Sequence, residues 1–400
     1  MVYRFKKRRR DWRPTVPWKE TCAMDERTRL IGDWLSGRYS KSELSRSYGV
    51  SRPTVDKWVG RYETDGVSGL RERSRRPLES PLRTPDAVIE RLIDAKHRWP
   101  SWGPKKLVWW LGQQAPSEAW PAPSTAGEIL KRAGLVRPKR RRAATPAHRG
   151  PFRDCAAPNQ VWSADFKGQF RTADGQWCYP LTITDNDSRY LLGCWSQRRT
   201  DTRDTRRHME WTFREYGLPD AIRTDNGVPF AANGFGGLSA ISVWWIRLGI
   251  HPERIAPGRP DQNGRHERMH RTLKADALRP AARNARAQQQ DFNAFRQAYN
   301  HQRPHESLQM VPPAQRYRPS ERRFPERLPE LHYDDRHQIR RVRSNGQIKW
   351  RGDLIFVGLP LIGQTIGITE NAQGQHELYF GSYLIAVYDP RSRRFQHPPV

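Results

Sequence analysis

Apolar and polar residues alternate along this chain with a period that changes twice, and each change predicts a different kind of element. From Asp25 the period is helical, with Leu30, Ile31, Trp34 and Leu35 on one predicted face. Ser40 and Glu43 stand at capping-box spacing and begin a second short helix that carries Leu44. Tyr48-Gly49-Val50-Ser51 then reads as a turn, and Arg52-Pro53-Thr54-Val55-Asp56-Lys57-Trp58 as a helix capped by Ser51 with proline in its first turn. Helix, glycine turn and helix make a helix-turn-helix pattern, with Val55 and Trp58 facing inward. A second helical module starts at Thr84, where Val88, Ile89, Leu92 and Ile93 form an apolar stripe. Trp102-Gly103-Pro104-Lys105-Lys106-Leu107 opens its next helix, and Ser124 is the predicted cap of a third that runs to Arg132. From Asn159 the period shortens toward two, which predicts strands at 161–170, 177–184 and 190–195, with Asp174-Gly175 as a hairpin turn. A helix over 202–216, a short buried strand at 221–223 and helices near 238–248, 262–276 and 289–300 complete an α/β layer. Beyond a Pro- and Arg-rich stretch at 304–329, five strand signals at 348–350, 354–357, 365–369, 376–380 and 384–388 fit a small β-barrel. Asn345-Gly346 and Gln373-Gly374 supply its turns.

Charge decides how the helical modules are read. The 400 residues carry 71 basic against 42 acidic side chains, a net charge of +29 spread along the length. Such an excess acts on polyanion binding rather than on fold, and its spread favours an extended nucleic acid over a local anion pocket. Any three-helix domain could show the first pattern; with this charge, Arg52, Thr54 and Lys57 are predicted to face the major groove of DNA. The second module offers Lys105, Lys106, Lys131 and Arg132 as candidate DNA contacts. The runs Lys6-Lys7-Arg8-Arg9-Arg10 and Lys139-Arg140-Arg141-Arg142 read as segments that follow a phosphate backbone. A 36% hydrophobic content with 16 Trp suits several small cores rather than one large interior. Cys22, Cys155, Cys178 and Cys194 lack C-x-x-C spacing and read as free thiols of a reducing compartment. No signal-like apolar stretch opens the chain, and the run 354–362 is far too short to span a membrane, so a cytoplasmic location is expected.

Three acids carry the chemistry. Asp165 stands in Trp162-Ser163-Ala164-Asp165-Phe166-Lys167-Gly168, Asp225 in Arg223-Thr224-Asp225-Asn226-Gly227, and Glu267 in Gln262-Asn263-Gly264-Arg265-His266-Glu267-Arg268. Fifty-nine residues separate the first two and 41 the second two, so only folding can bring them together. Hard divalent cations need oxygen ligands, and a two-ion site clamps the attacking and leaving oxygens of a phosphoryl displacement. Asn226-Gly227 permits a sharp turn that leaves Asp225 at the open end of its strand, while Asp165 lies on the predicted central strand. Arg271 and Lys274 fall at i+4 and i+7 from Glu267, on one helical face, where two cations would follow a metal-holding carboxylate toward a nucleic acid strand. His266-Glu267-Arg268-Met269-His270 is also a literal H-E-x-x-H, the pattern of zinc proteases. The extended third-histidine form is absent, and Arg265, Arg268 and Arg271 oppose a dication held by neutral imidazoles; Asp291 stands at a permissible distance for a third ligand.

Trp162-Ser163-Ala164-Asp165, Thr224-Asp225-Asn226-Gly227 and the phrase from Pro260 through Gly264 to Glu267-Arg268 resemble the catalytic phrases of bacterial insertion-sequence transposases with a retroviral-integrase-type core. Tyr299-Asn300-His301-Gln302-Arg303-Pro304-His305 resembles the tail of that core. The resemblance implies a ribonuclease-H-like central domain and a catalytic triad of Asp165, Asp225 and Glu267 holding two Mg²⁺ ions, with Mn²⁺ as a substitute. It implies double-stranded DNA as partner, both element ends and target, a homo-oligomer in a synaptic complex, no nucleotide fuel, and a place beside the bacterial nucleoid. Two departures stand out. The Asp225–Glu267 interval is longer than the family's usual spacing, and the excess is assigned to a surface loop at 231–237. The His-His-Cys-Cys module of retroviral integrases is absent, so structural zinc is not expected. The expected organisation is a basic arm (1–20), a helix-turn-helix domain (21–75), a second such domain (84–136), a basic linker (137–158), the catalytic core (159–316) and a C-terminal β domain (333–396). The rival reading from another class is a domesticated, non-catalytic DNA-binding regulator; a plain ribonuclease-H-like nuclease leaves the two helical modules without a role.

Overall fold

The computed structural model describes residues 22–73, 83–136, 155–256 and 260–396, in two compact units that divide after Arg83. The predicted basic runs at 6–10 and 139–142 lie outside the described residues.

The first unit has three helices, α1 (Ala23–Leu35), α2 (Lys41–Ser47) and α3 (Arg52–Asp65). The capping box that begins α2 forms as predicted: Glu43 N–H donates to Ser40 Oγ at 3.3 Å, and Ser40 N–H donates to the Glu43 carboxylate at 2.7 Å. Gly49 takes φ +62 in the turn, a conformation that favours glycine. Leu30, Ile31, Leu44, Val55, Trp58, Val59 and Leu70 form the core. Leu35 is 57% exposed, against the prediction, because it ends α1 just before the chain turns away at Gly37. Ser51 stands at the predicted cap position, but its hydroxyl meets Thr54 Oγ1 at 2.9 Å rather than a backbone N–H.

The second unit begins with α4 (Asp86–Arg98), α5 (Pro104–Gln114) and α6 (Pro123–Arg132), closed over Leu92, Trp102, Leu107, Leu111 and Leu130. The residue before α6 is Ala122, not Ser124, because Pro123 fits the first helical position, where its fixed φ is already helical and no N–H is needed.

A mixed sheet follows, built from β1 (Val161–Phe166), β2 (Phe170–Arg171), β3 (Trp177–Asp185) and β4 (Leu191–Gln197). After α7 (Thr202–Tyr216) come β5 (Ala221–Thr224), α8 (Ala240–Arg247), β6 (His251–Arg254), α9 (Gly264–Asp276) and α10 (Ala285–His301). β3 pairs antiparallel with both β1 and β4, while β1, β5 and β6 run parallel, so β1 is central. The predicted strand over 161–170 breaks at Gly168, whose N–H closes onto Phe166 O at 2.8 Å with φ +56. β6 was not predicted: His-Pro-Glu-Arg is a poor strand sequence, but an edge position tolerates its proline, and Glu253 lies level with Arg223 and binds its guanidinium at 2.9 Å. Trp162, Ala164, Leu181, Ile183 and Ile222 face α7 and α8 through Met209, Phe213, Trp244 and Trp245. The opposite face meets α9 and α10 through Met269, Leu273, Phe292, Phe295 and Tyr299.

The C-terminal region contains all five predicted strands and two more. β7 (Gln338–Arg341) is followed by β8 (Gln347–Trp350), β9 (Asp353–Phe356), β10 (Thr365–Glu370), β11 (His376–Phe380), β12 (Tyr383–Asp389) and β13 (Arg394–Gln396). They do not close into the predicted barrel. β13-β12-β11-β10-β7 is an open antiparallel sheet, and β8 and β9 pair with each other alone. Ile348 and Trp350 of that ribbon reach the shared core by side-chain packing instead of a ladder. The segment 231–237, predicted as a surface loop, instead docks on this region. Phe235 N–H donates to Val357 O at 3.0 Å, and its ring lies 4.8 Å from that of Phe395. Gly234 passes so close that a Cβ there would stand 3.0 Å from Gly358 Cα. Cys22, Cys155, Cys178 and Cys194 are free thiols. No helix among the described residues is long and apolar enough to cross a membrane.

Candidate active site

Strand alternation puts Asp165 on the face of β1 covered by α9, since Trp162 and Ala164 occupy the other. Ser163 lies level with Arg223 of the parallel neighbour; Asp165 and Asp225 each lie two residues further along, Asp225 just past the end of β5. Both acids thus stand at the carboxyl ends of parallel strands, where open α/β sheets form their ligand sites. Asp225 is held by its own turn, with Gly227 N–H donating to Oδ1 at 3.0 Å. Asn226 Nδ2 donates to Ile255 O at 2.7 Å and ties that turn to the segment after β6.

Glu267 lies in the first turn of α9. That helix is two-faced: His266, Met269, His270 and Leu273 are buried against the sheet, while Glu267, Arg268, Arg271 and Lys274 are exposed. Asp225 and Glu267 both act on Asp165. Burial and then the Asp225 carboxylate push the Asp165 carboxyl up to about 7, with a further push from Glu267 and partial relief from the Phe166 backbone and Lys167.

Thr182 and Thr184 of β3 were not singled out in the sequence, yet they receive both histidines of the H-E-x-x-H segment. Thr182 Oγ1 lies 2.7 Å from His266 Nε2 and 2.7 Å from His270 Nε2, and Thr184 Oγ1 lies 2.9 Å from His266 Nδ1. His270 Nδ1 is 3.8 Å from Asp165 Oδ2. Burial drives the His266 imidazole down to about 3 and lowers His270 as well, so both rings are neutral. Asp165, His266 and His270 offer atoms within 4.8 Å of one another, a set that could hold a metal ion. Three of the four ring nitrogens are already engaged with threonine hydroxyls, and Glu267 is exposed rather than part of this buried set. The signal was present in the motif, whose i, i+4 histidines share a helical face, and in the Thr-x-Thr alternation of β3.

The tail phrase supports this assembly from behind. The Asn300 carboxamide accepts from Leu191 N–H at 2.8 Å and donates to Leu191 O at 2.9 Å, mimicking a strand partner at the start of β4. Arg303 faces Asp276 at 3.6 Å, and Ser101 Oγ donates to the same carboxylate at 3.1 Å, which fastens the turn before α5 to the end of α9. Lys106 is half-buried in this contact; burial and the Arg303 charge bring its amine down to about 8. Lys105 remains exposed, as do Lys131 and Arg132. In the first unit Arg52 and Lys57 are exposed and Thr54 is half-buried, with Lys57 Nζ 4.8 Å from the Trp58 ring centre.

Residues 156–260 and 248–313 match the integrase core domain families. Residues 26–77 match a helix-turn-helix domain family and 54–130 a homeodomain-like domain family. An insertion element IS476 protein of Xanthomonas euvesicatoria is 27% identical over 318 residues, 76% of this chain and 89% of the relative. An insertion element IS407 protein of Burkholderia multivorans is 28% identical over 192 residues, 47% of this chain and 66% of the relative. Among solved structures, the HTLV-2 integrase catalytic core domain in complex with magnesium aligns at a TM-score of 0.33 and 14% identity, over 40% of this chain and 98% of that one. The chain thus carries an integrase core preceded by helix-turn-helix domains, and the relatives it resembles are insertion-element proteins.

Proposed function

We propose that this protein binds the terminal inverted repeats of its own element, cuts the ends hydrolytically and joins the resulting 3′-hydroxyls to target DNA. The observation that carries this reading is the convergence of the three acids: Asp225 and Glu267 both act on the half-buried Asp165 carboxyl, in a chain with 29 more positive than negative charges. An all-oxygen, mutually repelling set is the donor chemistry that a hard dication relieves. Asp165, Asp225 and Glu267 would hold two Mg²⁺ ions, or Mn²⁺, which when bound supply Lewis acidity to the attacking and leaving oxygens of an in-line displacement. Arg271 and Lys274, exposed on the same face of α9 as Glu267, bind the phosphates next to the scissile one and keep the strand in register with the acids. Transesterification conserves the number of phosphodiester bonds, so joining needs no nucleotide. Arg52, Thr54 and Lys57 of α3, with Lys105 of α5, read or position the element end. The domain boundaries expected from the sequence serve this division of labour, and joining two ends at one target calls for a homo-oligomer working in the cytoplasm beside the nucleoid.

The test uses duplexes copied from the DNA that flanks the gene, with Mg²⁺ and the full chain. Nicking that leaves a 3′-hydroxyl at the repeat boundary, followed by joining to a second duplex, is expected. Equal cutting of scrambled duplexes would reduce the protein to a general nuclease, and end binding with no cutting would make it a regulator.

A further inference from the structure

The acid chemistry leaves two buried histidines unused, and their hydroxyl partners carry a proton-counting problem with one good solution. Thr182 Oγ1 has a single proton and three neighbours able to take it: His266 Nε2, His270 Nε2 and the Asp165 carbonyl oxygen at 3.1 Å. Two ring nitrogens pointing at one hydroxyl cannot both accept, so at least one of them donates. The carboxylate end fixes which. As a metal ligand Asp165 is ionised and accepts only, so the facing nitrogen, His270 Nδ1, carries hydrogen, and His270 Nε2 accepts from Thr182. Thr182 in turn accepts from His266 Nε2–H, and His266 Nδ1 accepts from Thr184 Oγ1–H. Any other order turns a ring lone pair toward the carboxylate.

We propose that Thr184, His266, Thr182 and His270 form a one-directional hydrogen-bond chain that holds the Asp165 carboxylate in its ligand orientation and fixes Glu267 relative to it. The inference rests on the reading of Asp165 as a metal ligand. The second half of the claim comes from where the residues sit. Thr182 lies opposite Asp165 in the β1–β3 ladder, and both histidines lie on α9, the helix that carries Glu267. One hydroxyl therefore registers two acids that arrive from distant parts of the chain. The last link, at 3.8 Å, is longer than a formed hydrogen bond and acts as a dipole aimed at the charge. These four residues are positioning residues; none touches DNA.

Thr182→Val keeps the shape and removes the hydroxyl, and Thr182→Ser restores the hydroxyl. Mn²⁺ binding to the full chain without DNA, followed by electron paramagnetic resonance of the free ion, reads the site apart from activity. Loss of partners one shell out from a metal weakens metal binding by roughly 10–100-fold. Thr182→Val is expected to show that loss, with element-end binding unchanged and Thr182→Ser close to the parent. Parent-like Mn²⁺ affinity in Thr182→Val, or a lowered melting temperature with no change in Mn²⁺ affinity, overturns the proposal. Where Thr182→Val does not fold, Thr184→Val removes only the first donor: a smaller loss in the same direction supports the chain, and no change overturns it. Asp165→Asn separates the two readings. Its full end-joining activity would end the functional assignment, whereas its inactivity beside an unaffected Thr182→Val would end only the hydrogen-bond chain.

Discussion

In the first unit, exposed Arg52 and Lys57 ride on α3, and the groups that fix α3 are near neighbours in the chain: the Ser40–Glu43 capping box and a core of Leu30, Leu44, Val55 and Trp58. In the acid site the fixing groups are remote, with Thr182 and His270 standing 88 positions apart. The difference is one of burial as well as distance. A surface reader needs only a correctly placed helix, so its residues tolerate replacement one at a time. A buried polar site needs every donor matched to an acceptor, so one lost hydroxyl leaves others unsatisfied.

The largest effect that sharpens this contrast belongs to Phe292, completely buried between α10 and the sheet. Phe292→Ala is expected to cost the second unit about 3–5 kcal/mol. In urea, followed by tryptophan fluorescence, that unit's transition should move while the first unit's stays in place; a shared shift would mean the two do not unfold separately. Leu44→Ala makes the converse test, with about 2–5 kcal/mol lost from the small first core. End binding should fall in gel-shift titrations while Mn²⁺ binding persists, and loss of both would dissolve the distinction. Lys57→Ala should weaken end binding by about 1–3 kcal/mol if the lysine reads a base, or lower the salt slope by about 1 if it touches phosphate. No change in either places Lys57 off the DNA. Ser40→Ala removes half of the capping box and should cost about 1 kcal/mol of first-unit stability, with end binding nearly intact at low temperature.

The same contrast explains what could be read in the sequence. Local codes were legible: the capping box, the glycine turns, the stripe of α4 and the Asp174-Gly175 hairpin each depend on residues a few positions apart. The placement of two acids was legible too: Asp165 was expected on the first strand and Asp225 at a strand's open end, and they stand on β1 and just past β5. Tertiary partners were not. The open edges of the C-terminal sheet depend on β8 and β9 pairing only with each other. The docking of 231–237 depends on Val357 and Phe395, far along the chain. Lys106 looked like a DNA contact by charge, yet it is half-buried beside Arg303 and Asp276. The H-E-x-x-H pattern drew attention to metal chemistry, while its histidines meet two threonines that periodicity alone marks only as strand residues.

The central claim is that Asp165, Asp225 and Glu267 act as one site. The most direct measurement is Mg²⁺-dependent joining of pre-cut element ends by Asp165→Asn, Asp225→Asn and Glu267→Gln, each compared with the parent at matched end binding. All three variants are expected to bind ends normally and join none. Full joining by any one of them would remove that acid from the site and contradict the account.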